Sequence, residues 1–478
     1  MNFLSIQFAL FLAAAVSLFW LCPPRFRPLF LAVASYVFYG LWSPIGALGL
    51  LAVTTLVFYA GLALQRRLNT NSSEGSTKPI LALSISILVA WLFLFKTLGL
   101  VKSVMGDASG TTEALARFLT AHTIIPLGIS YYTFKLMSYL LDVHWGKFKA
   151  ERNFVHFAAY VAFFPQIVAG PIQRSEDFLT QIRRLGPAPE KMRLGLRRIL
   201  LGCFKKAVIA DNLSELIGAA YPHLQGPALS ALPAFYVFPI QLFIDFSALT
   251  DIAIGVALLF GIESPENFDR PFLASSISQY WRRWHMSLTS WLYDYVFVPL
   301  RMATRRAGRL GLVFSIMVNM LLIGIWHNLS WTFVVFGLLH GGFLAIDALT
   351  TRARTRFFAE HPNWDRLAAA AGPVFTFNLV ALGMVFVRAE SLRQAGWVLS
   401  QVFSLPTRGQ LVGLLGGSEI HRGLAGLALW MAFLYLSGRR WMLGVASYRS
   451  ARWVFYYAVV LLIVRWGHDA EAFIYYKF

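Results

Sequence analysis

The stretch "GRLGLVFSIMVNMLLIGIWHNLSWTFVVFGLLHGG", residues 308–342, contains two apolar runs separated by a short polar segment. The runs, residues 310–326 and 331–348, are each close to the ~20 apolar residues with which a helix crosses the hydrocarbon core of a bilayer. The polar segment offers capping side chains, and we expect the first helix to end its register at Gly324. His327 is therefore predicted to lie at a break between two membrane helices.

Composition shows that such runs dominate the chain. Of its 478 residues 57% are hydrophobic and only 14% are charged, whereas about 25% of a typical soluble domain is charged. We predict an all-α polytopic membrane protein, a single membrane domain over residues 1–478, with roughly ten to thirteen membrane segments, some of them re-entrant. The clearest segments lie near residues 3–20, 29–44, 46–64, 80–101, 121–141, 154–170, 231–260 (long enough for a pair), 310–326, 331–348, 372–388, 424–438 and 453–466.

Basic residues, which give the chain a formal net charge of +19, cluster in short segments beside the apolar runs. Loops of this kind stay on the cytoplasmic side and attract anionic headgroups, so we expect membrane lipids and no nucleic acid as partners. The dense cluster from Arg183 to Lys206 belongs to such a loop, and the N-terminus is expected outside. The first apolar segment lacks a basic n-region and a small-residue cleavage site, which indicates a retained helix. Cys22 and Cys203 are far apart and imply neither a disulfide framework nor a metal site.

Histidines at membrane depth need an explanation, because polar groups there are costly. Irregular backbone is tolerated in a membrane only where protein buries it or where it lines an aqueous cavity. His327 is therefore either a kink residue bonded to a neighbouring carbonyl or a catalytic group, and the residue pattern alone favours the kink. His340, just before Gly341 and Gly342, fits a structural role at a helix end even better.

A second unusual stretch is "SQYWRRWHMSLTSWLYDYVFVPL", residues 278–300. Apolar side chains recur there at helical spacing. The face they form comprises Trp281, Trp284, His285, Leu288, Trp291, Leu292 and Tyr295. We predict one helix in the plane of the interface with this face toward the membrane. Arg282 and Arg283 lie on the other side and either anchor the helix to lipid, the simpler interpretation, or bind phosphates of a nucleotide-bearing donor.

Two carboxylates lie within the apolar stretch at residues 236–259, namely Asp245 and Asp251. A charged carboxylate at the bilayer centre costs roughly 2.5–3.5 kcal/mol on insertion scales. Each must therefore be paired, protonated or in contact with water. The basic residues of "FKKAVIADN", residues 204–212, and Arg388 are candidate partners, and the sequence does not choose among them.

Six motifs in one order carry a family resemblance. They are "PLGISYYTFKLMSYLLDV", "FFPQIVAGPIQR", "FKKAVIADNL", "IDFSALTDIAIG", "YWRRWHMSLTSWLYDYVFVPL" and "GIWHNLSWTFVVFGLLHG". Together they resemble the membrane-bound O-acyltransferase superfamily, in particular the branch of the alginate O-acetyltransferase membrane subunit. The resemblance covers residues 126–478 and implies a ring of helices around a central funnel, with interfacial and re-entrant helices.

The resemblance also implies roles for individual residues. His327 matches the histidine that acts as the catalytic base at the narrow point of the funnel, although this branch usually has glycine where this chain has Asn328. A histidine with its ordinary pKa near 6.5 suits the removal of a proton from a hydroxyl. In the tail, residues 466–478, Tyr475 matches a tyrosine that accepts the acyl group, with Tyr476 as a competitor and an aromatic membrane anchor as the alternative. The lesser funnel candidates are Asp245, Arg283, Trp326, Asn328, His285 and His340.

The function implied is transfer of an acyl group, most simply acetyl, for O-acetylation of an exported polysaccharide such as alginate or a related polymer. The expected donor is acetyl-CoA or another acyl thioester in the cytoplasm, with no bound cofactor and no metal. The expected partner is an extracytoplasmic acyltransferase that acts on the polysaccharide, and the expected location is the bacterial inner membrane, as a multi-pass protein. Two alternatives are D-alanyl transfer to teichoic acid and, in another class, a secondary transporter with a histidine and carboxylate relay. A transporter predicts paired internal repeats, which the sequence lacks.

Overall fold

The structure is a computed structural model that describes residues 3–70, 77–105, 127–220, 231–402 and 449–466, with the single positions 425, 428 and 431. Within these ranges all regular elements are helices, so the predicted all-α class is confirmed. The described residues form two compact units. One comprises residues 1–198, 253–266 and 290–296, and the other comprises residues 199–252, 267–289 and 297–478. The single domain remains a sequence prediction.

Helix starts in the N-terminal part follow local capping chemistry. Ser5, Ser43 and Asn153 each accept a hydrogen bond from a backbone N–H in the first turn of the helix that follows. The helices are α1 (Ile6–Leu21), α2 (Arg27–Trp42), α3 (Pro44–Asn69), α4 (Lys78–Met105), α5 (Ile129–His144), α6 (Phe154–Ala162), α7 (Phe164–Ile167), α8 (Ser175–Ile182), α9 (Pro189–Phe204) and, after the π-helix Lys205–Ala210, α10 (Asp211–Ala220).

The C-terminal part combines long helices with short ones around the "WRRWH" segment. The π-helix Pro233–Val237 leads into the first of them, and the π-helix Tyr293–Phe297 lies between two of the short ones. The helices are α11 (Phe238–Leu259), α12 (Ile277–Trp281), α13 (Met286–Leu292), α14 (Val298–Ala303), α15 (Gly308–His327), α16 (Trp331–Glu360), α17 (Pro362–Arg388), α18 (Leu392–Val402) and α19 (Arg449–Trp466).

Six helical stretches among the described residues are long and apolar enough to cross a membrane. This confirms the prediction of a multi-pass membrane protein. They are Pro44–Asn69, Lys78–Thr97, Ala234–Leu259, Arg305–His327, Trp331–Glu360 and Pro362–Arg388, and the shorter apolar helices are Ile6–Leu21, Phe154–Ile167 and Tyr456–Arg465. Most of the predicted segment at 121–141 is in α5, and that at 424–438 lies almost wholly outside the described residues.

The stretch predicted as a possible helix pair, residues 231–260, is one span instead. In its apolar 18-residue segment 94% of the residues are buried inside the protein, against 17% in the corresponding segment of Lys78–Thr97. A helix that is apolar on all faces is expected to be surrounded by protein or lipid, and here protein surrounds it. That burial explains how α11 carries Asp245 and Asp251, because protein partners can reach both carboxylates.

The prediction of one interfacial helix over residues 278–300 is wrong. The helix breaks between α12 and α13, where His285 has a left-handed backbone with φ of 44°. A non-glycine residue rarely adopts this conformation, so hydrogen bonds must hold it. The predicted aromatic face is also buried in protein rather than set against lipid, since Trp281, Trp284 and Trp291 are each at most 7% exposed.

Helices α15 and α16 form a tightly packed antiparallel pair. A Cβ atom at Gly324 would lie 2.2 Å from the carbonyl oxygen of Phe333, and one at Gly337 would lie 2.7 Å from the carbonyl oxygen of Met320. Only glycine fits where backbones approach so closely. The two helices are therefore in backbone contact near the end of α15.

Candidate functional site

His327 is the last residue of α15, as the sequence predicts, although the helix continues three residues beyond Gly324. Asn328 caps this end with extended backbone (φ −153°, ψ 143°), and its N–H donates to the carbonyl of Gly324. Because this conformation is open to any residue, the asparagine needs no glycine-like backbone here. The imidazole of His327 is 9% exposed and packs against the rings of Trp326 and Phe333.

The indole of Trp326 connects two of the candidate histidines. Its ring centroid lies 4.5 Å from that of His327 and 6.3 Å from that of His285. His285 is 1% exposed, and the edge of Phe246 from α11 meets its ring at 4.8 Å. The structure thus brings His327, Trp326 and His285 into one aromatic cluster, as required if they share a site.

Asn267, which the sequence analysis did not identify, holds the break that contains His285. Its side-chain oxygen accepts hydrogen bonds from the N–H of Ser287 at 3.2 Å and from the hydroxyl of Ser287 at 2.7 Å. The same oxygen lies 3.2 Å from Nδ1 of His285. The backbone carbonyl of Asn267 accepts from the N–H of Met286 at 2.8 Å. These bonds explain how His285 keeps its left-handed backbone.

The hydrogen bonds around Asn267 also assign the tautomer of His285. A backbone N–H can only donate, so the amide atom that meets Ser287 is the oxygen, and Nδ1 of His285 must carry the proton. Nε2 then carries the lone pair, and it has no hydrogen-bond partner within the described ranges. Burial lowers the pKa of His285 to about 3, so the ring is neutral at pH 7.

His340 has the opposite tautomer. Nε1–H of Trp281 donates to Nδ1 of His340 at 3.3 Å, so the proton of the neutral ring is on Nε2. The ring is fully buried and meets Phe336 of α16 and the backbone of α17 at Gly383. His340 thus joins α12, α16 and α17. It lies in the interior of α16, which continues through Gly341 and Gly342 to Glu360, so the expectation that it marks a helix end is wrong.

The carboxylates of α11 are paired with lysines of the π-helix Lys205–Ala210. Nζ of Lys206 lies 3.0 Å from Asp245 and 2.6 Å from Asp211, and all three side chains are at most 4% exposed. Lys205 pairs with Asp251 at 2.8 Å. The structure therefore provides partners from the "FKKAVIADN" motif. π-Helices are rare and often mark functional sites, and this one places both lysines toward α11.

Three of the predicted candidates remain, namely Arg283, Tyr475 and Tyr476. The side chain of Arg283 is half-buried, and its carbonyl accepts from the N–H of Asp269 at 3.0 Å. Tyr475 and Tyr476 lie outside the described residues. Asn267 was missed because a single asparagine in the loop between Pro265 and Pro271 carries no recognisable signal of its contact with His285.

Comparison with known proteins gives one matching family model and several relatives. Residues 150–387 match the model described as "MBOAT, membrane-bound O-acyltransferase family". The chain is 35% identical over 401 residues to "Probable alginate O-acetylase AlgI" of Azotobacter vinelandii, which covers 83% of this chain and 76% of that protein. It is 30% identical over 428 residues to "Peptidoglycan O-acetyltransferase" of Helicobacter pylori, covering 83% and 76%.

A third relative is "Teichoic acid D-alanyltransferase" of Streptococcus thermophilus. It is 30% identical over 292 residues, which cover 54% of this chain and 67% of that protein. The range matched by the family model includes His327, Trp326, His285, Asn267 and Asp245.

Proposed function

Because the chain belongs to the membrane-bound O-acyltransferase family and is a membrane O-acyltransferase, we propose that it passes an acetyl group to an exported polysaccharide. The donor is acetyl-CoA or another acyl thioester in the cytoplasm, and the protein resides in the bacterial inner membrane. The observation that carries the proposal is His327 at the end of α15, packed on the same indole as His285.

In the proposed reaction His327 is the general base. One imidazole nitrogen takes the proton of the acceptor hydroxyl while the hydroxyl oxygen forms a bond to the acyl carbonyl carbon. The carbon–sulfur bond of the thioester then breaks, and the leaving thiolate receives the proton from the imidazolium. Apart from this proton transfer, the enzyme supplies alignment of the two substrates in a site from which the buried aromatic residues exclude water.

We assign the acceptor hydroxyl to Tyr475, with the alternative that Tyr476 serves. The resulting acyl-tyrosine ester would pass its acyl group to an extracytoplasmic acyltransferase that modifies the polysaccharide. We assign the other candidates to the surroundings of the substrate path. Its walls comprise Trp326, Asn328, Asp245 and Arg283, and behind them are His285 and His340.

The names of the relatives favour acetyl over D-alanyl as the group transferred. The relatives that the chain covers to 76% are named for O-acetylation, and the one named for D-alanyl transfer matches only 54% of this chain. D-Alanyl transfer stays the second candidate because of that match. Mass spectrometry of ester-linked groups released from the cell envelope separates the two.

The test is ester-bound acetate on the secreted or envelope polysaccharide of host cells that carry wild type, His327→Ala or His361→Ala. His361 is exposed, and its ring stacks on Phe357 and lies 2.9 Å from the carbonyl of that residue, so its variant controls for the loss of a histidine. Loss of a general base typically costs about 10²–10⁴ in rate, so acetate should disappear with His327→Ala alone. Equal acetate in all three strains, at membrane levels matched by immunoblot, would refute the proposal.

A further inference from the structure

A buried hydrogen-bond acceptor lies in the same aromatic cluster as the proposed base. We propose that Nε2 of His285 binds the donor of the acyl group, by accepting a hydrogen bond from the amide N–H nearest the thioester in a pantetheine arm. The inference rests on the proposed function and deepens it, because it makes His285 a group that the donor contacts. It also defines the donors as pantetheine thioesters, a class that includes acetyl-CoA.

The first argument is that Asn267 fixes the proton of His285. The side-chain oxygen of Asn267 accepts from the N–H of Ser287 at 3.2 Å and lies 3.2 Å from Nδ1 of His285. A flipped amide would place its NH₂ group against that N–H, so the atom is the oxygen and Nδ1 carries the proton. Nε2 can therefore only accept, and its ligand must supply an N–H or O–H group.

The second argument is the surroundings of Nε2. The ring of His285 is 1% exposed, and Nε2 has no hydrogen-bond partner in the part of the chain that the structure describes. Its ring neighbours are aromatic, namely Phe246 and Trp326. Buried polar atoms are nearly always hydrogen-bonded, so a buried acceptor without a partner calls for a ligand. A few polar groups in an apolar site typically set the orientation of the ligand.

The third argument is the position of Trp326. Its ring contacts both His285 and His327, so the acceptor and the proposed base belong to one cluster. In a pantetheine thioester only two methylene groups separate the sulfur from the nearest amide nitrogen. A donor held by this N–H at Nε2 therefore keeps its acyl carbon within a few bond lengths of the cluster. Such positioning of the reacting carbon is a large part of what an enzyme supplies.

An amide N–H suits this role because it is not consumed in the reaction. The proton that His327 takes comes from the acceptor hydroxyl, whereas the amide keeps its own proton, so the bond to Nε2 lasts from donor binding to release of the thiolate. Access to Nε2 requires that a neighbouring ring moves. Phe246 is fully buried, whereas Trp326 is half-buried, so the indole is the ring with more room to change its rotamer.

The test compares two donors that differ at one position. One is acetyl-CoA, and the other is its ester analogue, in which oxygen replaces the amide N–H nearest the thioester. This oxygen cannot donate and would face the lone pair of Nε2. Transfer of radiolabelled acetyl is followed in inverted membrane vesicles, which expose the cytoplasmic side. We expect wild type to use acetyl-CoA with a kcat/KM about tenfold higher or more, because the analogue leaves a buried acceptor unpaired.

His285→Asn removes the acceptor and keeps the other contact of this residue. The new amide nitrogen can donate to Asn267 as Nδ1 does, and asparagine tolerates the left-handed backbone at this position, where φ is 44°. No atom of the new side chain reaches the position of Nε2. We expect this variant to use the two donors with nearly equal kcat/KM, whatever its absolute rate.

The matched control is His340→Asn, at the other buried histidine of this region. The new side-chain oxygen can accept from Nε1–H of Trp281, as Nδ1 of His340 does. Any loss of rate from disturbed packing should fall on both donors alike, so the preference for acetyl-CoA should keep its wild-type value. The ratio of the two donors thus separates a contact with the donor from a structural role.

Equal use of the two donors by wild type would overturn the proposal, as would an unchanged preference in His285→Asn or a lost preference in His340→Asn. If His285→Asn does not fold, His285→Gln replaces it. The glutamine amide can accept from the N–H or donate to the ester oxygen, so it should also abolish the preference. Absence of transfer from acetyl-CoA in wild type would refute the proposed function, whereas equal use of both donors leaves that function standing.

Discussion

Nε2 of His340 in α16 lies against Gly383 of α17 so closely that a Cβ atom at position 383 would come within 2.2 Å of it. At this contact α16 supplies the buried ring of His340, and α17 supplies a glycine that has no side chain. The contact gives a sharp prediction about stability.

Gly383→Ala should destabilise the protein. Overpacking a filled core typically costs about 1–3 kcal/mol, which exceeds the gain of about 0.5–1 kcal/mol from replacing glycine by alanine within a helix. The measurement is the midpoint of thermal unfolding in detergent. Gly396→Ala in α18 is the control, since its new methyl group would meet nothing within 4 Å and should leave the midpoint unchanged or raise it. An unchanged midpoint for Gly383→Ala would contradict the close approach.

Lys206 should contribute more to stability than its neighbour Lys205. Lys206→Met removes the ammonium group that lies within 3.0 Å of the buried carboxylates of Asp211 and Asp245, and breaking a buried ion pair costs about 3–5 kcal/mol. Lys205→Met should cost less, because the side chain of its partner Asp251 is 20% exposed.

The readout is the fraction of protein that remains monodisperse after a heat step in detergent. Adding Asp245→Asn to Lys206→Met should restore part of the loss, since it removes one of the two buried negative charges that Lys206 balances in the wild type. Equal loss in the two single lysine variants would show that burial does not set the cost.

Stability should depend on pH through His285. Its pKa is about 3 in the folded protein and about 6.5 in an unfolded chain, so between these values only the unfolded chain binds a proton there. The free energy of unfolding then falls as pH falls, by about 1.4 kcal/mol per unit, or about 2 kcal/mol between pH 6.5 and 5. Above pH 6.5 this contribution is constant.

The check compares the drop in unfolding midpoint between pH 7 and pH 5 in wild type and in His285→Gln. Glutamine does not titrate, so the variant should show the smaller drop, whatever its absolute stability. Identical drops would mean that His285 is as free to take a proton in the folded protein as in the unfolded chain.

Tyr475→Phe should stop acetate from reaching the polysaccharide if Tyr475 is the acceptor, because phenylalanine has no hydroxyl to acylate. Tyr476→Phe should retain polysaccharide acetate under the same assignment. Under the proposed relay, peptide mass spectrometry of the wild type should show an acetyl group on the peptide that contains Tyr475 when the proposed extracytoplasmic partner is absent. If Tyr476→Phe alone loses acetate, the roles of the two residues are exchanged, and if neither does, the relay is wrong.

Tyr295→Phe should weaken the compact unit that contains α5. The hydroxyl of Tyr295 donates to Asp142 at 2.7 Å, and the ring stacks on Trp145 with the guanidinium of Arg174 at 4.5 Å from its centroid. Phenylalanine keeps the stacking and leaves Asp142 without this donor, which costs about 1–3 kcal/mol. Tyr59→Phe, at an exposed tyrosine of α3, should change stability by less than about 0.5 kcal/mol in the same thermal assay.

The sequence predicted the helical class, the long apolar helices and the position of His327, because these depend on local patterns. Apolar length sets a membrane helix, and a polar segment between two apolar runs marks its end. The carboxylates Asp245 and Asp251 were also correctly expected to need partners. Which lysine pairs with which carboxylate could not be predicted, since that depends on how Lys205–Ala210 faces α11.

The break at His285 and its attachment to Asn267 could not be predicted for a related reason. Helical spacing continues from Trp281 to Tyr295 without interruption, so periodicity indicates one helix. The left-handed residue is neither glycine nor beside proline, the usual markers of a turn. Hydrogen bonds to Asn267, 18 residues earlier in the chain, hold His285 instead. Such contacts do not change the periodicity of the sequence.

The glycine contacts between α15 and α16 also decide which groups around His327 can move to make room for a substrate. Side chains make room by changing rotamer, but two helical backbones already in contact at Gly324 and Phe333 cannot separate without losing their packing along the whole pair. Room for a bulky acceptor beside His327 must then come from side chains that change rotamer while the helices stay in place, namely the indole of Trp326 and the rings that it contacts. Substitutions meant to enlarge the range of acceptors should begin with those aromatic residues, because the backbones of α15 and α16 cannot move apart.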